Sequence, residues 1–99
     1  MKKLKNIHPG EVLLEEFLKP LAISQYQLAK DTCIPQTRIS QIVKGKRRIT
    51  ADTALRISTY FGTSAKFWLG MQDDFDLEEE QITIEDLLKK IPKAQVNVA

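Results

Sequence analysis

The stretch Gln36-Thr37-Arg38-Ile39-Ser40-Gln41-Ile42-Val43-Lys44-Gly45-Lys46-Arg47-Arg48 combines amides, hydroxyls and cations and contains no acid. With Gln36 at zero on a helical wheel, Ser40, Lys44, Thr37 and Gln41 fall at about 40°, 80°, 100° and 140°. Ile42, Ile39 and Val43 fall at about 240°, 300° and 340°, so the polar and apolar arcs do not overlap. Arg38 sits on the flank. These residue types suit the edges of base pairs. Gln bonds adenine in a bidentate manner, Arg bonds guanine, and the Thr methyl touches a thymine methyl. Gln36, Thr37, Arg38 and Gln41 are therefore the candidate base readers. Lys44, Lys46, Arg47 and Arg48 stand where the chain leaves a groove and are placed to neutralise phosphates. Ser40 shares the polar arc. Gln25, at the start of the preceding helix, can offer its N–H and side chain to a phosphate or brace Gln36. Solvated helix faces usually mix Glu with Lys, and residues 34–48 hold no Glu or Asp at all.

Such a face needs a scaffold of short helices. Two of them joined by a tight turn over about residues 25–45 make a helix-turn-helix, with Ala29 at the close crossing and Leu28, Ile34, Ile39 and Ile42 turned to the core. The first helix begins near Pro9, carries Leu13, Leu14, Phe17, Leu18 and Leu21 on one side, and ends near Lys19 before Pro20. Ser24 caps the second helix, and Gln27 three residues on completes a capping-box pattern. Pro35 opens the third and Gly45 stops it. Thr50 caps a fourth, with Ala54, Leu55, Ile57, Ser58 and Phe61 inward and Gly62 as its stop. Thr63 or Ser64 caps a fifth, which carries Phe67, Trp68, Leu69 and Met71 as core. The acidic run Asp73–Glu80 reads as a boundary. Thr83 then caps a last short helix with Ile84, Leu87, Leu88 and Ile91 as an apolar stripe. The expected division is a DNA-binding domain over 1–76 and an acidic linker with a short amphipathic helix and tail over 77–99. Strand signals are nearly absent, so the fold class is all-α.

Composition narrows the function. The 99 residues are 42% hydrophobic and 28% charged, which suits one small globular domain. Residues 1–50 carry a balance of +6 and residues 51–99 a balance of −4, within a net charge of +2. That asymmetry points to two partners, one of them anionic. No apolar run reaches the roughly 18 residues of a membrane span, and no signal core follows the basic N-terminus. With the unpaired Cys33, this predicts a cytoplasmic protein without membrane contact. His8 and Cys33 are the sole residues of their types, so no His/Cys metal site, cofactor site or catalytic residue is expected. The scarcity of aromatics in the basic half disfavours single-stranded RNA.

Gln25-x-x-Leu28-Ala29, Ile39-Ser40-x-Ile42 and Gly45-Lys46 resemble the helix-turn-helix of lambda-repressor-like (XRE-type) regulators. Over about residues 7–76 a narrower likeness appears. His8-Pro9-Gly10-Glu11, Glu15-Glu16-Phe17-Leu18-x-Pro20-Leu21, Arg38-Ile39, Ile42-Val43-x-Gly45-x-Arg47-x-Ile49-Thr50, Asp52-Thr53-Ala54-Leu55-Arg56 and Phe61-Gly62-Thr63-Ser64-x-x-Phe67-Trp68-Leu69 are similar to the HigA/VapI (virulence-associated protein I) antitoxins.

The resemblance implies a five-helix lambda-repressor-like domain, here with a short additional C-terminal helix. It further implies a homodimer on palindromic double-stranded operator DNA. The implied protein partner is a HigB toxin, a small basic ribonuclease of the RelE type that cuts messenger RNA. By the same likeness Gln36, Thr37 and Gln41 read bases, while Gln25, Ser40, Lys44 and Lys46 hold backbone. A stand-alone repressor without a toxin is the competing reading. One departure stands out: the turn carries Thr32-Cys33 where the family usually has an apolar residue and glycine. Cys33 must bear strain or adopt a different turn.

Overall fold

A computed structural model describes residues 5–95, and among these every regular element is helical. Pro9 opens α1 (Pro9–Val12), where its missing N–H has no partner to lose. The cap comes from His8, whose Nδ1 accepts the Gly10 N–H at 2.9 Å. The chain continues directly into a π-helical segment, Leu13–Leu18, ending at Lys19. Pro20 has no N–H with which to carry the ladder further. Leu13 and Leu18 are fully buried there, but Leu21 lies beyond the helix and is exposed.

The helix-turn-helix is α2 (Gln25–Thr32) and α3 (Gln36–Val43). Ser24 Oγ accepts the Gln27 N–H at 3.0 Å, the first half of a capping box. The return half is not made. Gln27 instead donates its side-chain amide to Asp31 at 2.8 Å, one turn on. Cys33 ends α2 with φ 58° and ψ 37°, so it does adopt the left-handed conformation that glycine would take without strain. Gly45, at φ +74°, follows α3.

α4 (Ala51–Phe61) ends on left-handed Gly62. Thr50 occupies its N-cap without a side-chain cap bond. Leu55, expected inside, is exposed; Thr53, Ala54, Ile57 and Ser58 are the buried face. α5 (Ala65–Thr83) is capped by Ser64 Oγ. Thr63 has another task, accepting the Trp68 indole N–H at 2.8 Å. Trp68 is wholly buried, with Phe17 at 5.0 Å and Phe67 at 5.1 Å between ring centroids.

The acidic run is not a linker. Residues 73–80 lie inside the 19-residue α5, which no proline or later glycine interrupts. Good helix formers such as Leu, Glu and Gln carry it on to Thr83, although acids near a C-terminus oppose the dipole. Thr83 is therefore the last residue of α5, and Ile84 is the N-cap of α6 (Glu85–Lys89). α6 buries nothing. Leu87, Leu88 and Ile91 are all exposed, so the stripe does not pack beside Trp68 and Leu69. The radius of gyration is 17.1 Å, against about 13 Å for a compact chain of this length, because the end of α5 and α6 project from the core.

Candidate nucleic-acid interface

The core clamps α3 from behind and leaves one face outward. Ile39 and Ile42 are fully buried, as are Ile49 after the helix and Leu28 and Ile34 before it. Ile49 is a core residue that periodicity did not reveal, since it lies in a loop. Gly10 brings α1 against the end of α3: a Cβ built there would lie 1.7 Å from the Ile42 carbonyl oxygen. Gln36, Thr37 and Gln41 are exposed on the outer side of α3, while Arg38 and Ser40 are half-buried. Lys44, Lys46, Arg47 and Arg48 follow as an exposed basic loop. Gln25 opens α2 and is half-buried; no hydrogen bond joins it to Gln36 among the described residues.

Three of the candidate cations have intramolecular partners. Arg38 Nη1 lies 3.1 Å from Asp52 Oδ2, which ties the flank of α3 to the first turn of α4. Arg47 Nη1 donates to Gln41 Oε1 at 3.1 Å, linking a candidate holder to a candidate reader. Arg48 Nη2 donates to Asp76 Oδ2 at 2.8 Å, on α5. Lys44 and Lys46 enter no ion pair among the described residues. Together with the exposed Gln36 and Thr37, they form the part of the face most open to an incoming polyanion.

Sequence reasoning missed the residues that brace this face. Arg56 of α4 donates through Nη1 to the carbonyls of Thr32 at 2.9 Å and Cys33 at 3.2 Å. A cation at the end of α2 suits the helix dipole and holds the turn that Cys33 strains. Arg56 Nε also bonds Asp52 at 3.1 Å. This hydrogen bond, with the charges of Arg56 and Arg38, keeps the Asp52 carboxyl below its ordinary range. Gln72 is 1% exposed, and both atoms of its amide are hydrogen-bonded, the oxygen to the Ile49 N–H and the nitrogen to Asp76. Its only sequence signal was a polar residue at helical spacing from Trp68, too weak to separate a buried amide from a solvated one.

His8 packs edge-on against Phe75, with ring centroids 4.9 Å apart. Burial lowers its pKa from 6.5, and Asp76 partly opposes that shift. Among the described residues no cluster of three His, Cys, Asp or Glu side chains is placed to hold a metal ion. No described helix is long and apolar enough to cross a membrane.

A family profile described as Helix-turn-helix matches residues 14–68. The virulence-associated protein I of Dichelobacter nodosus is 53% identical over 72 residues, which span 73% of this chain and 67% of that protein. A structure titled Pseudomonas aeruginosa antitoxin HigA with higBA promoter superposes with a TM-score of 0.88 at 34% identity. It covers 92% of this chain and all of that one. An addiction module antidote protein of the HigA family from Coxiella burnetii superposes with a TM-score of 0.85 at 40% identity, over 92% of this chain and all of its own. The outward polar face of α3, the acid-free loop behind it and these likenesses agree: the chain belongs to the helix-turn-helix family of HigA/VapI-type antitoxins and DNA-binding regulators.

Proposed function

We propose that this protein is the antitoxin of a type II toxin-antitoxin pair in the cytoplasm. As a dimer it binds the operator of its own promoter and represses transcription, and it neutralises a HigB/RelE-like mRNA-cleaving toxin. The observation that carries the DNA reading is the exposed, acid-free face of α3 running into Lys44 and Lys46. Gln36, Thr37, Arg38 and Gln41 read bases. Gln25, Ser40, Lys44, Lys46, Arg47 and Arg48 position the backbone. One module buries too little surface for tight specific binding, whereas two read two half-sites about one helical turn apart. The exposed Leu77, Ile82, Leu87, Leu88 and Ile91 supply apolar surface for a protein contact. The exposed acids of α5 would steer a basic toxin.

A gel shift with the chain's own upstream DNA, with and without the product of the neighbouring gene, tests this reading. Specific retardation altered by that product is expected. Retardation indifferent to every neighbouring product would leave a stand-alone repressor, and no retardation would sink both.

A further inference from the structure

Gln72 and Asp76 lie one turn apart on α5, and both reach the segment that leaves α3. The Ile49 N–H donates to Gln72 Oε1 at 2.7 Å. Gln72 Nε2 donates to Asp76 Oδ1 at 2.9 Å. Arg48 Nη2 donates to Asp76 Oδ2 at 2.8 Å. The three bonds form a closed chain whose two ends grip adjacent residues, 48 and 49. Its polarity is determined by donors. A backbone N–H can only donate, so the Gln72 oxygen must face Ile49, and the amide nitrogen is left to find an acceptor. Ionised Asp76 has two acceptor oxygens, one for Gln72 and one for the guanidinium. Ile49 and Gln72 are buried, so this end of the chain is shielded from competing water. Burial pushes the Asp76 carboxyl up, but the bonds from Arg48 and Gln72 and the charges of Arg48 and His8 outweigh it and hold it below its ordinary range.

We infer that Gln72 and Asp76 are positioning residues for DNA binding: they anchor Arg48–Ile49 to α5, keep Arg48 off the phosphates, and leave Lys44 and Lys46 to hold the backbone. The inference rests on the DNA reading above and revises one of its assignments. In sequence, Arg48 is one more cation of a basic run. In the folded chain its guanidinium already has a carboxylate, which competes with phosphate for the same donors. A phosphate that captured Arg48 would leave Asp76 with one hydrogen bond fewer and an uncompensated charge close to the DNA. The anchor also limits how far the loop can swing, so the lysines approach the duplex in one register.

The test is the salt dependence of binding to a scrambled duplex, measured for the full chain. Each phosphate neutralised contributes about 0.9 to the slope of log affinity against log salt. Lys46→Ala should lower the slope by about one unit, and Arg48→Ala should leave it unchanged. Asp76→Asn preserves shape and an acceptor for Gln72 but releases Arg48. It should tighten scrambled DNA by about two- to fivefold, the range of an exposed ion pair, and steepen the slope by about one unit. Asp73→Asn removes the same charge from an exposed site on α5 and is the control. The gain from Asp76→Asn should exceed that of Asp73→Asn and vanish in the Asp76→Asn/Arg48→Ala double variant.

The inference is overturned if Arg48→Ala behaves like Lys46→Ala, or if the Asp76→Asn gain survives without Arg48. Amide exchange at Ile49 reads the anchor in the free chain, without DNA. Exchange there should be faster in Gln72→Met, and an unchanged rate would also overturn the inference. A parent chain that binds no duplex while its Ile49 amide is protected would mark failure of the DNA reading, not of the anchor.

Discussion

Gly10 sits against the last turn of α3 so closely that a Cβ would stand 1.7 Å from the carbonyl oxygen of Ile42. The obstacle is backbone, which cannot turn aside as a side chain would. Gly10→Ala should therefore force α1 and α3 apart and destabilise the fold by about 1–3 kcal/mol or more. For a chain of this length that is a fall in melting temperature of at least about 4–8 °C. A thermal melt within a degree of the parent would show that the helices separate without penalty.

Cys33 shows the opposite case, a side chain where glycine belongs. At φ 58° it bears the left-handed penalty of about 1–2 kcal/mol. Cys33→Gly should raise stability by roughly 0.5–1 kcal/mol, since the extra freedom of glycine in the unfolded chain offsets part of the relief. Cys33→Val should lower it. Urea denaturation gives both signs, and a Gly variant less stable than the parent would mean that Arg56 has already removed the strain.

His8 must stay neutral for Nδ1 to accept the Gly10 N–H. Its folded pKa is lowered from 6.5 by burial, with Asp76 opposing. The unfolded chain therefore takes up a proton first as pH falls through 6.5, and stability is lost over the interval down to the folded value. Above 6.5 this contribution is complete. His8→Asn retains a capping oxygen without the titration. Denaturation at pH 7.5 and pH 5 should show a smaller loss for His8→Asn than for the parent, and equal losses would place the acid sensitivity elsewhere.

Gln36→Ala and Gln41→Ala should each cost about 1–3 kcal/mol at operator DNA and relax sequence preference, whereas Lys46→Ala weakens all duplexes alike. Gln41→Ala also frees Arg47, its partner at 3.1 Å, so its affinity for scrambled DNA should stay level or rise slightly while operator affinity falls. Competition binding with matched and scrambled duplexes separates the roles. Identical behaviour of all three variants on both duplexes would remove the distinction between readers and holders.

Removal of residues after Thr83 takes away α6, which buries nothing in its own chain. At concentrations where the parent is also monomeric, the shortened chain should keep its melting temperature within about 2 °C. Its dimer or toxin affinity should fall, because Leu87, Leu88 and Ile91 are exposed apolar surface. Sedimentation and toxin pull-down check this. Undiminished affinity for both partners would mean that the stripe is idle.

The helix-turn-helix was legible from order and type alone. Ser24, Pro35 and Gly45 punctuate it through local backbone chemistry, and Ile39 and Ile42 fall opposite Gln36, Thr37 and Gln41 by helical period. Such signals reach only a few residues along the chain, which is why they sufficed there and at the Ser24 cap of α2, while at α5 they left Thr63 and Ser64 undecided until the Trp68 indole claimed Thr63. They failed where the decisive partner is distant. The acidic run looked like a boundary because charge density marks solvent, not the end of a helix, and α5 runs through it. Leu55 and Leu21 share an apolar character with their neighbours, but only packing decides which leucines are covered, and these two are not. The division of the cations belongs wholly to the tertiary structure. Arg38, Arg47 and Arg48 are alike in sequence. Asp52 and Asp76 lie 14 and 28 residues from Arg38 and Arg48 and meet them only when the helices pack, whereas Gln41, six residues from Arg47, is reached by the turn of the loop after α3. A charge in sequence states what a residue can attract; the folded chain decides which partner is close enough to take it.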